Sequence, residues 1–258
     1  MLEPPRCLII PAAGLGTRMK LVYPWLPKEM LLLGAKPAIH YALEEARHAG
    51  IEHVVVILHR GKQIVRRYLE EQRTIKITIL YQQALAGEAD AIALAEPMVN
   101  HCSIAILYPD NIYLPEPGAI KMLSDIHVAQ QSDIVALSWV TEANEAAVSN
   151  SGKVDLEPID ETVFRVLNLL PKGPGYYQRR YEKELRACGM MVAGPHLFDA
   201  IRRTRPRLSQ GEFTDEPVRQ SLIHEGGLLG LRLPGTVFDI GNPGGYRSCL
   251  EQLNRTEI

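Results

Sequence analysis

The residue types most suited to chemistry gather near the start of the chain, in Ile9–Met30: IIPAAGLGTRMKLVYPWLPKEM. A short apolar run, Cys7 to Ile10, reads as a buried strand. Pro11 and the small residues Ala12, Ala13 and Gly14 then turn the chain, and Gly16-Thr17-Arg18 follow. A strand that ends in a glycine-rich turn leaves backbone N–H groups uncrowded, and such groups cradle phosphate oxygens. Arg18 adds a planar fork matched to phosphate geometry, and Lys28 adds a second cation. Two cations beside a nest of amides suggest a triphosphate site. An ordinary strand-to-helix turn with a surface arginine would use the same glycines. Two better-known phosphate loops are excluded by spacing. The dinucleotide fingerprint needs a third small residue where Met19 stands, and the ATPase loop needs Gly-Lys-Ser/Thr.

Further along, three places offer complementary chemistry. Asp110 follows the run Ile104–Tyr108, in Tyr108-Pro109-Asp110-Asn111. A carboxylate at a strand's carboxyl end can hold a hard cation such as Mg²⁺ against phosphates, although Asp beside Pro and Asn is also an ordinary turn former. Asp239 lies in Phe238-Asp239-Ile240-Gly241-Asn242-Pro243-Gly244-Gly245-Tyr246, a tight loop before a last helix, where Asp can serve as a cap. Gln82 and Gly87 follow a third apolar run. A side-chain amide donates and accepts, so it can read a pyrimidine edge, and glycine permits close backbone approach. The chain has no Gly-x-Ser-x-Gly and no His-Glu-x-x-His, and its eight histidines are dispersed.

Gly14-Leu15-Gly16-Thr17-Arg18-Met19, then Pro27-Lys28-Glu29-Met30-Leu31, then Lys36-Pro37, Tyr41 and Glu44-Glu45 together resemble the bacterial UTP–glucose-1-phosphate uridylyltransferases, within the sugar-1-phosphate nucleotidyltransferase superfamily. The Pro-Lys-Glu-Met run favours uridine over thymidine. The resemblance implies a Rossmann-like nucleotide-diphospho-sugar transferase fold and the joining of a sugar 1-phosphate, glucose 1-phosphate foremost, to UTP. It implies that Arg18 and Lys28 are catalytic, that Ala12, Ala13, Gly14, Gly16, Gln82 and Gly87 bind the nucleotide, and that Gly152 contacts the sugar. It further implies that Asp110 and Asp239 hold Mg²⁺, and that the chain forms dimers or tetramers, although no interface is legible. The sequence departs from the family pattern in places. Glu88-Ala89-Asp90 replaces Leu-Gly-His, and Leu169 and Leu170 stand where the family has a Glu for the sugar hydroxyls and a Lys for its phosphate. Lys172 lies two residues beyond. Trp25 falls within a loop, Lys20–Trp25, unlike the family's. These departures leave room for another sugar phosphate, for dTTP or CTP, or for a non-catalytic protein that binds a nucleotide sugar.

Composition bounds the remaining possibilities. The chain has 258 residues, 46% of them hydrophobic and 22% charged, as in ordinary globular proteins. The formal net charge of −2 gives no basic field for nucleic acid, so phosphate attraction must be local. Four cysteines, Cys7, Cys102, Cys188 and Cys249, show no paired spacing, which argues against a zinc site or a disulfide framework and fits a reducing compartment. Met1-Leu2-Glu3-Pro4-Pro5 is not a signal peptide, and no apolar run approaches the ~20 residues a membrane span needs. A cytoplasmic protein is expected.

The elements that must position these residues alternate. Strands are expected at His53–Leu58, Ile75–Leu80, Ile104–Tyr108, Asp133–Val140, Met190–Ala193, Leu229–Leu233 and Val237–Ile240, separated by helices starting at Pro37, Gly61, Ala89, Gly118, Pro195, Asp215 and Gly244. This predicts one α/β domain spanning 1–258, with a mixed, mostly parallel sheet flanked by helices. From 142 to 186 the pattern changes to hairpin grammar, with strands Lys153–Leu156 and Val163–Leu169. This segment is expected to insert over the sheet's carboxyl edge, at the sugar site.

Overall fold

Six consecutive buried residues, Cys7–Ala12, form β1 and place it deep in the sheet. A strand covered on both faces reads as a continuous apolar run rather than an alternating one. The structure, a computed structural model, describes residues 1–99, 101–205 and 211–256. After β1 come α1 (Thr17–Lys20), β2 (Leu32–Leu33), β3 (Lys36–Pro37), α2 (Ala38–His48), β4 (His53–Leu58), α3 (Gln63–Glu70) and β5 (Lys76–Tyr81). The middle of the chain supplies α4 (Glu88–Ala93), β6 (Ile104–Leu107), β7 (Asn111–Leu114), α5 (Ala119–Gln130), β8 (Asp133–Val140), β9 (Val154–Pro158) and β10 (Val163–Leu169). The remainder is β11 (Glu184–Ala193), α6 (Leu197–Thr204), α7 (Glu216–Glu225), β12 (Leu228–Arg232), β13 (Thr236–Asp239) and α8 (Pro243–Thr256).

Among the described residues, nine strands form one sheet in the order β5-β4-β1-β6-β11-β8-β12-β10-β9. β5, β4, β1 and β6 run parallel, with Cys7 opposite both His53 and Ile104. β11 is antiparallel to β6 and β8, and β10 is antiparallel to β12 and β9. The sheet is therefore mixed, with most strands pointing one way. On one face Ala89 and Ile92 of α4, Phe198 and Ile201 of α6 and Leu222 of α7 join one core. On the other face α2, α3 and α5 contribute Leu43, Leu69 and Leu123 to a second. Covering both faces removes the apolar sides of the central strands from water, which is the main driving force for this architecture. Among the described residues no helix is long and apolar enough to cross a membrane.

Three expectations are corrected in detail. β7 was not foreseen, because Asn111-Ile112-Tyr113-Leu114 directly follows a turn and is only four residues long. It pairs with β13 in a two-stranded ribbon outside the main sheet. β11 starts at Glu184, not Met190, since its charged beginning pairs with β8 and hides the strand pattern. The hairpin β9–β10 does not lie over the sheet but extends its edge through β12. Only the loops of that segment, near Ser149–Gly152 and Lys172–Tyr176, reach the carboxyl edge.

Candidate active site

The parallel register of β1, β4 and β6 brings their carboxyl ends to one edge, and the residues that follow them meet there. Beyond β1, Gly16 adopts a left-handed conformation, with φ 62°, at the entry to α1. That turn is inexpensive only for glycine. Among the described residues, the N–H groups of Leu15, Gly16 and Thr17 donate to no backbone carbonyl. Met19, fully buried against Leu31 and Tyr246, pins the short helix from below. The stem of Lys28 packs on Gly16, about 3.5 Å from where a Cβ would sit.

Lys28 extends its ammonium to Asp110 Oδ2, with which it forms an ion pair. Burial works against the charged amine, but Asp110 and Glu29 outweigh it and raise its pKa. Burial alone would likewise push the Asp110 carboxyl up, yet Lys28 holds it below the ordinary carboxylate value. The pair therefore stays doubly charged. Asp239 arrives from β13, which pairs with β7 so that Asp239 stands opposite Asn111. A side chain at Gly241 would meet Asp110 Oδ2 at 2.7 Å and Asp239 Oδ1 at 3.0 Å, so both carboxylates border one small space. Two carboxylates opening on a phosphate-sized cleft are the donor set that a hard divalent cation shares with substrate oxygens. The residues present fit such an ion, although among the described residues no group of three or more acidic, His or Cys side chains converges.

A network fixes Asp239. Its Oδ2 accepts from the Ser149 N–H at 2.9 Å, and Ser149 Oγ accepts from Arg18. Asn242 donates to the Asp239 carbonyl at 3.0 Å and accepts from Gly245 N–H at 2.8 Å. Arg18 is thus held at the mouth by the loop that precedes Gly152. Gly152 has φ 77° and lies directly against the Ala187 carbonyl.

Sequence reasoning missed Lys62. It is buried and donates to the Ala12 carbonyl at 2.7 Å and to Glu29 Oε1 at 2.8 Å. It ties the end of β1 to the residue beside Lys28. The only local signal is a Gly61-Lys62 pair opening a helix, and its target lies far away in sequence.

Gln82, expected to meet the nucleotide, is buried, and its Nε2 donates to the Gly87 carbonyl at 3.0 Å and to Asp90 Oδ2 at 2.9 Å. Its Oε1 remains as the acceptor. Gly87, with φ 103°, packs against the Phe213 backbone. The two acids that depart from the family pattern are compensated. Asp90 pairs with Arg205 at 2.7 Å, and Glu88 Oε1 lies 3.5 Å from Lys172. Leu169 N–H donates to Gln220 and Leu170 N–H to the Lys153 carbonyl, while Leu169 packs on the core. Lys172 is exposed and lines the cleft in their stead.

The eleven candidate residues fall on two adjoining clefts. One, of about 350 Å³, is lined by Ala13, Gly14, Gly16, Gln82 and Gly87, and the other by Ala12, Asp110, Gly152 and Asp239. Arg18 and Lys28 line both.

A glycine loop with two cations, backed by a carboxylate pair at a sheet's carboxyl edge, defines a class, and the chain belongs to the nucleotidyl transferase family, whose model matches residues 8–167. More particular likenesses follow. The UTP–glucose-1-phosphate uridylyltransferase of Pseudomonas aeruginosa is 27% identical, over 97% of this chain and 98% of that protein. That of Staphylococcus epidermidis is 26% identical over 75% of this chain and 73% of that protein. A UDP-glucose pyrophosphorylase complexed with UDP-glucose has the same fold, with a TM-score of 0.83 at 22% identity, covering 99% of this chain and 100% of that one. UTP-bound UGPase from Acinetobacter baumannii aligns with a TM-score of 0.77 at 20% identity, over 98% and 93%.

Proposed function

We propose that this chain joins UTP to a sugar 1-phosphate, glucose 1-phosphate foremost, giving a UDP-sugar and pyrophosphate in the cytoplasm. The observation that carries the reading is the convergence of Asp110 and Asp239 on the space in front of Gly241, with Lys28 on Asp110 and Arg18 at the mouth. The near full-length likeness to UTP–glucose-1-phosphate uridylyltransferases supports the choice of substrates.

In this reading the backbone of Gly14 and Gly16 approaches the triphosphate. Arg18 holds the outgoing pyrophosphate, and Lys28 neutralises charge at the α-phosphorus. Gln82 Oε1 accepts from the uracil N3–H, and Gly152 adjoins the hexose. The loops of 142–186 cover the sugar within a single domain. Phosphoryl-type transfer needs alignment and charge neutralisation rather than a protein nucleophile. The site accordingly relies on cations, amides and carboxylates. Asp110 and Asp239 would hold Mg²⁺, which supplies Lewis-acid charge stabilisation when bound.

The test is pyrophosphate release over a matrix of UTP, dTTP and CTP against several sugar 1-phosphates. UTP with glucose 1-phosphate is expected to turn over fastest, and Asp110→Ala to abolish it. Trace turnover of that pair, or turnover indifferent to Asp110→Ala, overturns the proposal.

A further inference from the structure

Beyond Asp110 and Gly152, the second cleft has a wall that neither the glycine loop nor the carboxylate pair accounts for. Tyr108 directly follows β6 and lies two residues before Asp110. Its Oη donates to Asp215 Oδ2 at 2.7 Å. Arg219, one turn into α7, places Nη2 2.8 Å from the same oxygen. The Arg219 and Asp215 side chains are 11% and 14% exposed, and both open onto this cleft. Gly189 lets the Tyr108 ring lie flat on β11, since a Cβ there would meet Tyr108 Cδ2 at 2.7 Å.

A guanidinium carries five N–H donors. Among the described residues, the Arg219 side chain engages one carboxylate oxygen through one nitrogen. The guanidinium, nearly buried, borders the cleft. Across from it, Glu88 keeps Oε2 buried without a hydrogen-bond partner, and Glu88 borders both clefts. Leaving buried charged groups under-bonded is costly, so a ligand that completes them is strongly favoured.

The charge balance selects the ligand. Arg219 is balanced by Asp215 and Glu88 by Lys172, so this wall carries no net positive charge to draw a second phosphate. Hydroxyls, which donate and accept at once, suit a fixed donor facing a fixed acceptor. We propose that Arg219, braced by Asp215 and Tyr108 and opposed by Glu88, reads the ring hydroxyls of the sugar and sets which sugar 1-phosphate is accepted. The inference rests on the reaction proposed above and adds to it the residues that choose the sugar.

The experiment compares calorimetric binding of UDP and UDP-glucose to the full-length wild type, Arg219→Met, Arg219→Lys and Glu88→Gln, with thermal melts of each. Wild type is expected to bind UDP-glucose about 10- to 100-fold tighter than UDP, the range of one or two charge-assisted hydrogen bonds. Arg219→Met should reduce that ratio to near one while leaving the UDP affinity within about 2-fold, with Arg219→Lys intermediate. In turnover, KM for glucose 1-phosphate should rise with KM for UTP unchanged. Wild type should also discriminate against a singly deoxygenated sugar 1-phosphate that Arg219→Met accepts equally well. Equal loss of UDP and UDP-glucose affinity, or an unchanged ratio in both folded Arg219 variants, overturns this inference alone. A wild type that binds neither ligand overturns the uridylyl reading together with it.

Discussion

Asp110 and Asp239 face each other across Gly241 because the strands beside them, β7 and β13, pair with Asn111 opposite Asp239. The carboxylate geometry is therefore set by backbone hydrogen bonds of a short ribbon, reinforced by Ile240 N–H donating to the Asp110 carbonyl at 2.9 Å. Gly241→Ala would place a methyl 2.7 Å from one carboxylate oxygen and 3.0 Å from the other. Both must swing aside, and turnover should fall by about 10²-fold, as a misplacement of about 1 Å does. The melting temperature should change little, because the methyl meets side-chain ends. Steady-state kinetics beside a thermal melt checks this.

Removing either carboxylate charge is a sharper cut. Asp110→Asn and Asp239→Asn should each lower kcat by about 10²–10³-fold, the range for loss of one preorganised charge-stabilising group. The double variant should fall well short of the product of the two, because the groups act on one centre. Titration of each variant with Mg²⁺, read by turnover, should show the half-saturating concentration raised.

The Asp110–Lys28 pair sets a pH prediction. An acid whose folded pKa is lowered contributes stability above its ordinary value, 3.8 here, and loses it as pH falls through the folded value. Lys28, raised from 10.5, stays protonated at neutral pH. Neither group should therefore produce a limb in the pH–rate profile between about pH 5 and 9. In Lys28→Met burial is opposed only by the weaker contacts, so this carboxyl should contribute less stability at neutral pH, and the acid-induced loss due to it should shrink or reverse. Denaturant titrations from pH 3 to 7 measure it.

His196 should give a slope of opposite sign. Its hydrogen bond to Asp133, at 2.8 Å, raises its pKa against the smaller effect of burial. A base with a raised folded pKa stabilises fully below its unfolded value, 6.5, and the contribution disappears as pH rises through the folded one. Wild type should lose stability relative to His196→Gln over that window. The imidazole is half exposed, so the effect is small.

Lys62 and Glu29 form a buried pair, with side chains 9% and 0% exposed. Lys62→Met leaves the Glu29 charge uncompensated and should cost about 3–5 kcal/mol. Lys62→Met with Glu29→Leu should recover much of that stability. It should not recover turnover, because the Ala12 carbonyl has lost its tether and the glycine loop its support.

Much of this could be read from the chain. β4, β8 and β10 were legible to the residue, since each is a β-branched or apolar run bounded by turn formers. The turn after β1 was legible because Gly14 and Gly16 allow one, and Gly16 takes the left-handed conformation there. What was not legible depends on distant pairing. β7 has four residues and takes its identity from β13. The start of β11 carries Glu184 and Arg186, whose charges disguise a strand. The partners of Lys62 lie on other elements, and Tyr108, which braces the Asp215–Arg219 pair, lies far away in sequence, so no window of sequence holds either arrangement whole. The leucines at 169 and 170 depart from the family pattern and leave room for another sugar phosphate or a non-catalytic protein. In the fold they complete core and backbone contacts while Lys172 comes to the cleft.

The β7–β13 ribbon also has a bearing on biosynthesis. On the reading proposed above, a growing chain that has released β1 through β12 would own the glycine loop but half of the cation site, since Asp239 has yet to emerge. Competence, on that reading, waits until β13 pairs with β7 and α8 packs against β13. On the same reading, a nascent chain at that stage would hold the residues of the nucleotide cleft without the second carboxylate.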